Sequence, residues 1–262
     1  MTEMVNVIIL AAGKGTRLRP YTADRPKCMV ELCGRPMLHR QLDVLRIAGL
    51  KNIALVSGYR ADRLHVRGIT VVENPRYATT NMVTTLFCAE SQMNPGEDLI
   101  VAYGDIVYEP RVLEAVLQSR APLAIAVDRQ WRRLWEARME EPLEDAETLK
   151  LLEGDRIVEL GKKPEGYEDV QGQYMGLIKV RGDQVRAFLD AWHAMDRDAL
   201  YDGKDFDNMY MTSFLQHLID SGWDARAAFT DGGWVEIDTA EELELFSALQ
   251  QQGKLTELIR LD

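Results

Sequence analysis

The stretch of sequence that decides the fold is Leu10-Ala11-Ala12-Gly13-Lys14-Gly15-Thr16-Arg17-Leu18-Arg19-Pro20, directly after the apolar run 5–10. A short apolar run that ends in glycines and a proline is typical of a buried strand leading into a loop. The alanines and glycines leave room for a ligand to approach the backbone, and exposed N–H groups there can hold phosphate oxygens. The stretch therefore predicts an anion-binding loop at the carboxyl end of a strand, where open α/β sheets bind ligands.

Further apolar runs with the length of buried strands recur along the chain, at 53–56, 69–72, 99–103, 123–127 and 176–180. Their apolarity is continuous rather than alternating, which indicates strands covered on both faces, as in a mostly parallel sheet. Helical patterns alternate with these runs, and 262 residues suit one domain of this kind. We therefore predict a single α/β domain over residues 1–262, with a Rossmann-like, doubly wound and mostly parallel sheet. One of its helices is expected to begin at Thr79 or Thr80 and to run to about Gln92.

The segment 129–160 differs from the rest because it is strongly charged and rich in glutamate. Two short runs, 149–152 and 156–160, flank Glu153-Gly154-Asp155, and this spacing predicts a β-hairpin. The acidic stretch from Glu140 to Glu147 is expected to face solvent. We predict that 129–160 is a β-rich lid or hairpin inserted over the site.

Composition narrows the class of ligand. The formal net charge is −11, so neither a nucleic-acid nor a membrane partner is expected. No apolar run approaches the roughly 20 residues of a membrane span, and the first residues do not resemble a signal peptide. The three cysteines lack C-x-x-C spacing, which favours reduced thiols in a cytoplasmic protein. Positive charge is gathered between Lys14 and Lys27, where five basic residues accompany the single Asp24, and this favours a small anionic ligand.

The loop can be compared with the consensus patterns of two familiar phosphate-binding motifs. The P-loop motif G-x-x-x-x-G-K-[ST] is absent. The dinucleotide fingerprint G-x-G-x-x-G begins at Gly13 and Gly15, but Leu18 takes the place of its third glycine. The loop therefore belongs to neither class.

The longer string G-x-G-T-R-x-x-P-x-T-x-x-x-P-K, from Gly13 to Lys27, resembles the signature of the nucleotidyltransferase superfamily. That superfamily includes sugar-1-phosphate nucleotidyltransferases and bacterial phosphocholine cytidylyltransferases. The resemblance extends to Gly104-Asp105, to Gly161-Lys162-Lys163-Pro164 and to the segment 234–239. The segments 77–86 and 171–178 look most similar to phosphocholine and capsule-associated phosphoglutamine cytidylyltransferases. Lys162 stands where sugar nucleotidyltransferases often have a glutamate, which disfavours a sugar acceptor.

The resemblance implies a role for each matching residue, and the residues themselves support some of these roles. Asp105 and Asp238 each follow a short apolar strand, and two such carboxylates suit Mg²⁺, the expected cofactor. Lys27 is expected at the α-phosphate, Arg17 at the β- and γ-phosphates, and Lys163 at the acceptor phosphate. The predicted nucleotide-binding residues are Leu10, Ala11, Ala12, Gly13, Lys14, Gly15, Thr16 and Asn81. The predicted acceptor-binding residues are Gln173, Tyr174, Tyr210 and Trp234.

Several of these assignments have a structural alternative. Asn81 suits recognition of the base or ribose, but it equally suits support of a helix N-terminus. Tyr174 suits either the acceptor or sheet packing. The aromatic residues Phe206, Tyr210 and Trp234 suit a face for a quaternary amine, although their helical and strand spacing is also typical of a core.

The resemblance implies an enzyme that transfers a cytidylyl group from CTP to a small phosphorylated acceptor, such as phosphoglutamine or phosphocholine, and releases pyrophosphate. A phosphate monoester is largely dianionic at neutral pH, so the acceptor needs no His or Cys base. A sugar-1-phosphate uridylyl- or thymidylyltransferase and a non-catalytic nucleotide-sensing module are the alternatives. The resemblance further implies a role in capsule polysaccharide biosynthesis and allows a homodimer.

Overall fold

The computed structural model describes residues 5–64 and 66–261, so both ends of the predicted domain, residues 1–4 and 262, lie outside the described residues. The strands are β1 (Val5–Ala11), β2 (Glu31–Leu32), β3 (Arg35–Pro36), β4 (Asn52–Ser57), β5 (Thr70–Glu73), β6 (Asp98–Tyr103), β7 (Ile106–Tyr108), β8 (Leu123–Asp128), β9 (Leu149–Leu152), β10 (Arg156–Leu160), β11 (Gln173–Val180), β12 (Ala225–Thr230) and β13 (Trp234–Glu236). The α-helices are α1 (Met37–Ile47), α2 (Met82–Phe87), α3 (Pro110–Gln118), α4 (Trp131–Arg138), α5 (Val185–Ala194), α6 (Met211–Asp220) and α7 (Ala240–Gln251).

Among the described residues, nine strands form one sheet in the order β5-β4-β1-β6-β11-β8-β12-β10-β9. The strands β5, β4, β1 and β6 are mutually parallel, as are β8 and β12. Strand β11 runs antiparallel between β6 and β8. The predicted fold class, a mixed α/β protein with a large and mostly parallel sheet, is therefore confirmed. None of the helices in the described part of the chain combines the length and apolarity needed to cross a bilayer.

The sheet separates two apolar cores, and β1 shows how the sequence fills both. Val7 and Ile9 pack in the core that contains helices α1, α3 and α7. Ile8 and Leu10 point to the opposite face, into the core that contains α2, α5 and α6. Alternate side chains of a strand point to opposite faces, so a strand covered on both sides must be apolar at every position. The burial of each of these side chains stabilises the folded state by roughly 1.5–3 kcal/mol.

The predicted hairpin is formed by β9 and β10, which pair antiparallel. Glu153 and Gly154 in its turn both have positive φ, the backbone conformation that tight hairpin turns require. Strand β10 also pairs with β12, so the hairpin extends the edge of the main sheet. A lid role for 129–160 stays a prediction.

The start of α2 differs from the prediction. The helix begins after Asn81, whose side-chain oxygen accepts a hydrogen bond from Met82 N at 2.8 Å. The hydroxyls of Thr79 and Thr80 instead donate to the carbonyl of Arg76, so they stabilise the preceding turn. The helix also ends earlier than predicted, at Phe87, and a separate 3-10 turn covers Glu90–Gln92.

Candidate active site

Three carboxylates meet where two strands end. Asp105 follows β6, Glu236 is the last residue of β13, and Asp238 lies two residues further on. Strand β13 pairs antiparallel with β7 so that Glu236 faces Ile106, and this register brings Asp238 beside Asp105. One oxygen from each of the three carboxylates lies within 4.8 Å of the others. The structure therefore brings the predicted aspartate pair together and adds Glu236, which the sequence analysis missed.

Two of the predicted basic side chains converge on this cluster. Lys27 Nζ donates to Asp105 Oδ2 at 2.6 Å and also contacts Asp238 Oδ1. Burial opposes the charge of Lys27, but Asp105, Asp238 and Glu236 outweigh it and raise the pKa of the ammonium above its ordinary value. Arg17 is largely exposed, and its Nη2 lies 3.3 Å from Asp238 Oδ2. Lys27 is therefore a fixed cation in the cluster, whereas Arg17 reaches it from the solvent side.

A buried ion pair next to Asp238 holds the backbone of this residue in place. The side chain of Arg138, from α4, is 2% exposed and donates to Glu242 Oε1 at 2.7 Å. The second oxygen of Glu242 accepts from the backbone N–H groups of Asp238 at 2.6 Å and Thr239 at 3.1 Å. Thr239 Oγ1 in turn accepts from Glu242 N, which completes a capping box at the start of α7. The pattern T-x-x-E at 239–242 predicts this cap from the sequence. No local pattern predicts that Arg138 pairs with Glu242.

The cluster fits a divalent cation. Burial, followed by the charges of Asp238 and Asp105, raises the pKa of Glu236 to about 8. Asp105 Oδ1 is buried and has no hydrogen-bond partner among residues 5–64 and 66–261. Carboxylate oxygens are the donors that Mg²⁺ prefers, and a cation placed among three of them relieves their repulsion. We conclude that Asp105, Glu236 and Asp238 form a suitable donor set.

A first cavity opens at the end of β1 and is lined by Asp105 of the carboxylate cluster and by Lys27. Its lining residues are Leu10, Ala11, Ala12, Gly13, Lys27, Cys28, Tyr77, Thr80, Asn81, Met82, Thr85, Tyr103, Gly104 and Asp105. Gly104 allows this arrangement, because a Cβ there would lie 2.6 Å from the carbonyl oxygen of Leu10. The cavity thus lies at the loop that the sequence assigns to the nucleotide.

Most of the predicted nucleotide-binding residues line this cavity, but three do not. Lys14, Gly15 and Thr16 are absent from its described lining, and Lys14 and Thr16 are exposed to solvent. Gly15 has φ +56°, and its carbonyl accepts a hydrogen bond from the Thr22 hydroxyl at 2.8 Å. Asn81 lines the cavity and also caps α2, so both of its predicted roles are compatible with its position.

A second cavity lies on the other side of the carboxylate cluster. Its lining residues are Met82, Tyr103, Trp135, Asp145, Glu147, Gln173, Tyr174, Met175, Gly176, Tyr210, Met211, Thr212, Glu236 and Asp238. Met82 and Tyr103 belong to both linings, so the two cavities adjoin. Three predicted acceptor-binding residues are present: Gln173, Tyr174 and Tyr210.

Comparison with known proteins agrees with this geometry. The family described as MobA-like NTP transferase domain matches residues 7–163, more than half of the chain. The chain belongs to this family. The membership confirms the predicted nucleotidyltransferase resemblance.

Individual relatives of this NTP transferase give further detail. The CTP:phosphoglutamine cytidylyltransferase of Campylobacter jejuni subsp. jejuni serotype O:2 is 43% identical over 250 residues, which cover 92% of this chain and 98% of that protein. A putative glucose-1-phosphate thymidylyltransferase from Bacillus anthracis has a similar structure, with a TM-score of 0.73, 16% identity and 94% of each chain covered. The CTP:phosphocholine cytidylyltransferase from Streptococcus pneumoniae gives a TM-score of 0.69, with 18% identity and coverage of 94% of this chain and 99% of that one. At these identities the two structures support the fold alone.

The structure of this NTP transferase corrects two predictions. Trp234 does not line the acceptor cavity: it is 2% exposed, and its indole N–H donates to Asp128 Oδ2 at 2.9 Å, so it is part of the core. Asp145 and Glu147 both line the second cavity, so the acidic stretch 140–147 does not face solvent throughout. No local pattern distinguishes these two carboxylates from the other acidic residues of the stretch, because the position of the cavity depends on tertiary packing.

Lys163 lies outside the described linings of both cavities. Its Nζ donates to the carbonyl oxygens of Leu143 at 2.5 Å and Glu144 at 2.7 Å. Contact with an acceptor phosphate would require the side chain to leave these carbonyls. Its predicted role stays a prediction.

Proposed function

We propose that this NTP transferase transfers a cytidylyl group from CTP to a small phosphorylated acceptor and releases pyrophosphate. The observation that carries the proposal is that two adjoining cavities share one charged cluster: Lys27 and Asp105 line the first, and Asp238 lines the second. A nucleotide in the first cavity and an acceptor in the second would present their phosphates to the same groups. The relative from Campylobacter jejuni supports CTP as the donor and phosphoglutamine as the first acceptor to test.

We further propose that Asp105, Glu236 and Asp238 hold Mg²⁺. The bound ion would supply positive charge that offsets the repulsion between the triphosphate and the acceptor phosphate. The donor set and the unpartnered Asp105 Oδ1 support this assignment.

In the proposed reaction, a phosphate oxygen of the acceptor attacks the α-phosphorus of CTP as the bond to the bridging α–β oxygen breaks. Pyrophosphate carries away the electron pair of that bond. The acceptor oxygen is already ionised at neutral pH, so no proton has to be removed. Lys27 neutralises charge at the reacting phosphates, and Arg17 steadies the leaving pyrophosphate from the solvent side. Catalysis then consists mainly of positioning and charge neutralisation.

The remaining predictions rest on the family resemblance and on the cavity linings. We propose that 129–160 acts as a lid within the single domain 1–262, because Asp145 and Glu147 bring this segment to the second cavity. A homodimer that serves capsule polysaccharide biosynthesis is proposed from the resemblance alone, and a cytoplasmic location from the cysteine spacing.

The proposal is tested by measuring pyrophosphate release with Mg²⁺ and each of CTP, UTP, dTTP, ATP and GTP. The acceptors are phosphoglutamine, phosphocholine, phosphoethanolamine, 2-aminoethylphosphonate, glycerol 3-phosphate and several sugar 1-phosphates. Turnover that requires CTP and a non-sugar acceptor is expected. Turnover with UTP or dTTP and a sugar 1-phosphate would establish the sugar-nucleotide alternative. Tight CTP binding without pyrophosphate release from any pair would favour the nucleotide-sensing alternative.

A further inference from the structure

The second cavity is acidic. Four carboxylates line it, those of Asp145, Glu147, Glu236 and Asp238, and no lysine, arginine or histidine belongs to its described lining. Lys27, Arg17 and Arg138 compensate the two carboxylates of the metal cluster. The other two, Asp145 and Glu147, form no ion pair with any residue in the ranges 5–64 and 66–261.

These two carboxylates have few partners of any kind. Asp145 Oδ2 accepts from the Trp135 indole N–H at 3.1 Å. Glu147 is half-buried, and its backbone N–H, not its carboxylate, meets the side chain of Gln173. Burial and the charges of Asp145 and Asp202 raise the pKa of Glu147 to about 7. Asp145 is exposed to solvent, and its charge helps to raise the pKa of Arg138. The carboxylate without a compensating cation is therefore that of the half-buried Glu147, where a ligand that supplies a cation gains binding free energy.

We infer that the acceptor carries a protonated primary amine, and that Asp145 and Glu147 select it. The inference rests on the proposed function, because it assigns the acceptor to the second cavity. The acceptor phosphate then lies towards the metal cluster and Lys27, and the ammonium lies towards the two unpaired carboxylates. The same charges disfavour an acceptor whose far end is anionic and carries no ammonium group.

The aromatic side chains of the cavity argue for a primary rather than a quaternary amine. A quaternary ammonium is recognised by open aromatic faces. The ring of Trp135 is buried and already lies 5.2 Å from the Arg138 guanidinium carbon. The ring of Tyr210 faces the Lys204 ammonium at 5.5 Å, and Tyr174 packs edge-on against Tyr103. Carboxylates, in contrast, accept N–H hydrogen bonds, which a trimethylammonium group cannot donate.

The test compares phosphoethanolamine with phosphocholine, which differ only in N-methylation, as acceptors for CTP and Mg²⁺. We expect kcat/KM to be larger for phosphoethanolamine by a factor of about 10–100, the value of one or two charge-assisted hydrogen bonds. Glu147→Gln should lower kcat/KM for phosphoethanolamine about 10-fold and leave that for glycerol 3-phosphate unchanged or higher. Glu141→Gln, which removes the same charge from an exposed position in the same segment, should change neither value.

Equal or better use of phosphocholine would overturn the inference, as would a Glu147→Gln variant that keeps the original ratio. If pyrophosphate is not released with any acceptor, the proposed function fails, and calorimetry of the two amines in the presence of CTP and Ca²⁺ still decides the inference. Selective binding of phosphoethanolamine that Glu147→Gln abolishes would support it. Absence of binding, or binding of both amines alike, would refute it.

Discussion

Arg138→Met removes the positive charge of the buried network next to the carboxylate cluster while keeping much of the side-chain length. The guanidinium donates to Glu242 and lies 3.6 Å from a carboxylate oxygen of Glu236. Glu242 also holds the backbone of Asp238. The substitution therefore leaves buried carboxylates without their cation and loosens the position of Asp238.

The expected loss of stability is large because the ion pair is buried. The side chains of Arg138 and Glu242 are 2% and 8% exposed. Removal of one partner from such a pair costs about 3–5 kcal/mol, a large share of the ~5–15 kcal/mol that typically separates the folded from the unfolded state. At a slope of ~2 kcal/mol per molar, the midpoint of unfolding in urea should fall by about 2 M. The Mg²⁺ concentration for half-maximal pyrophosphate release should rise, because Asp238 is no longer held.

Urea unfolding followed by circular dichroism measures the first effect, and Mg²⁺ titration of pyrophosphate release measures the second. Arg63→Met is the matched control, because the side chains of Arg63 and Asp62 form an ion pair but are 59% and 68% exposed. Such an exposed pair stabilises the folded state by less than about 1 kcal/mol. The double variant Arg138→Met/Glu242→Gln should lose less free energy of unfolding than the sum of the losses of the two single variants. A loss for Arg138→Met no greater than that of the control would refute the reasoning.

Three further predictions address the site itself. Lys27→Met should lower kcat by about 10²–10³-fold in steady-state pyrophosphate release, because a fixed cation is lost at the reacting phosphates. A kcat within a factor of about 3 of that of the unsubstituted enzyme would contradict the role assigned to Lys27. Asp105→Asn should abolish Mg²⁺-dependent turnover in the same assay, and retained activity would place the metal elsewhere. Burial, Asp145 and Asp202 raise the pKa of Glu147 to about 7. The folded protein therefore holds this proton more tightly than the unfolded chain, and the associated stability is lost as pH rises from about 4.5 to 7. In urea titrations, Glu147→Gln should stabilise the protein by ~1–2 kcal/mol at pH 8 and by little at pH 4; an equal gain at both pH values would contradict this origin.

The loop and the aspartate pair show which parts of the candidate site could be predicted from sequence patterns. The run 5–10 and the glycines after it predict a strand and its ligand-binding end, because both signals are local. Asp105 and Asp238 could be paired because each follows an apolar strand, and such residues tend to meet at one edge of a sheet. Glu236 was missed although it lies two residues before Asp238, the spacing that places side chains on one face of a strand.

Other features depend on contacts that no local pattern contains. The antiparallel direction of β11 cannot be read from its apolar run, because a strand buried on both faces looks the same in either direction. Trp234 and Tyr210 are both aromatic residues near the site, but only packing decides that the first is in the core and the second lines the cavity. The sequence analysis assigned both of them to the acceptor site, with core packing as the alternative.

The sequence by itself determined the alternation of strands and helices, the glycine-containing loop after the first strand and the chemical types gathered at the strand ends. The tertiary structure alone decided that Arg138 lies near Asp238, and that Glu147 and Asp145 line a cavity whose described lining contains no basic side chain. The physical reason is the range of the interactions. Strand and loop preferences depend on neighbours in the chain, whereas the partner of a buried charge depends on which distant segments the sheet register brings together.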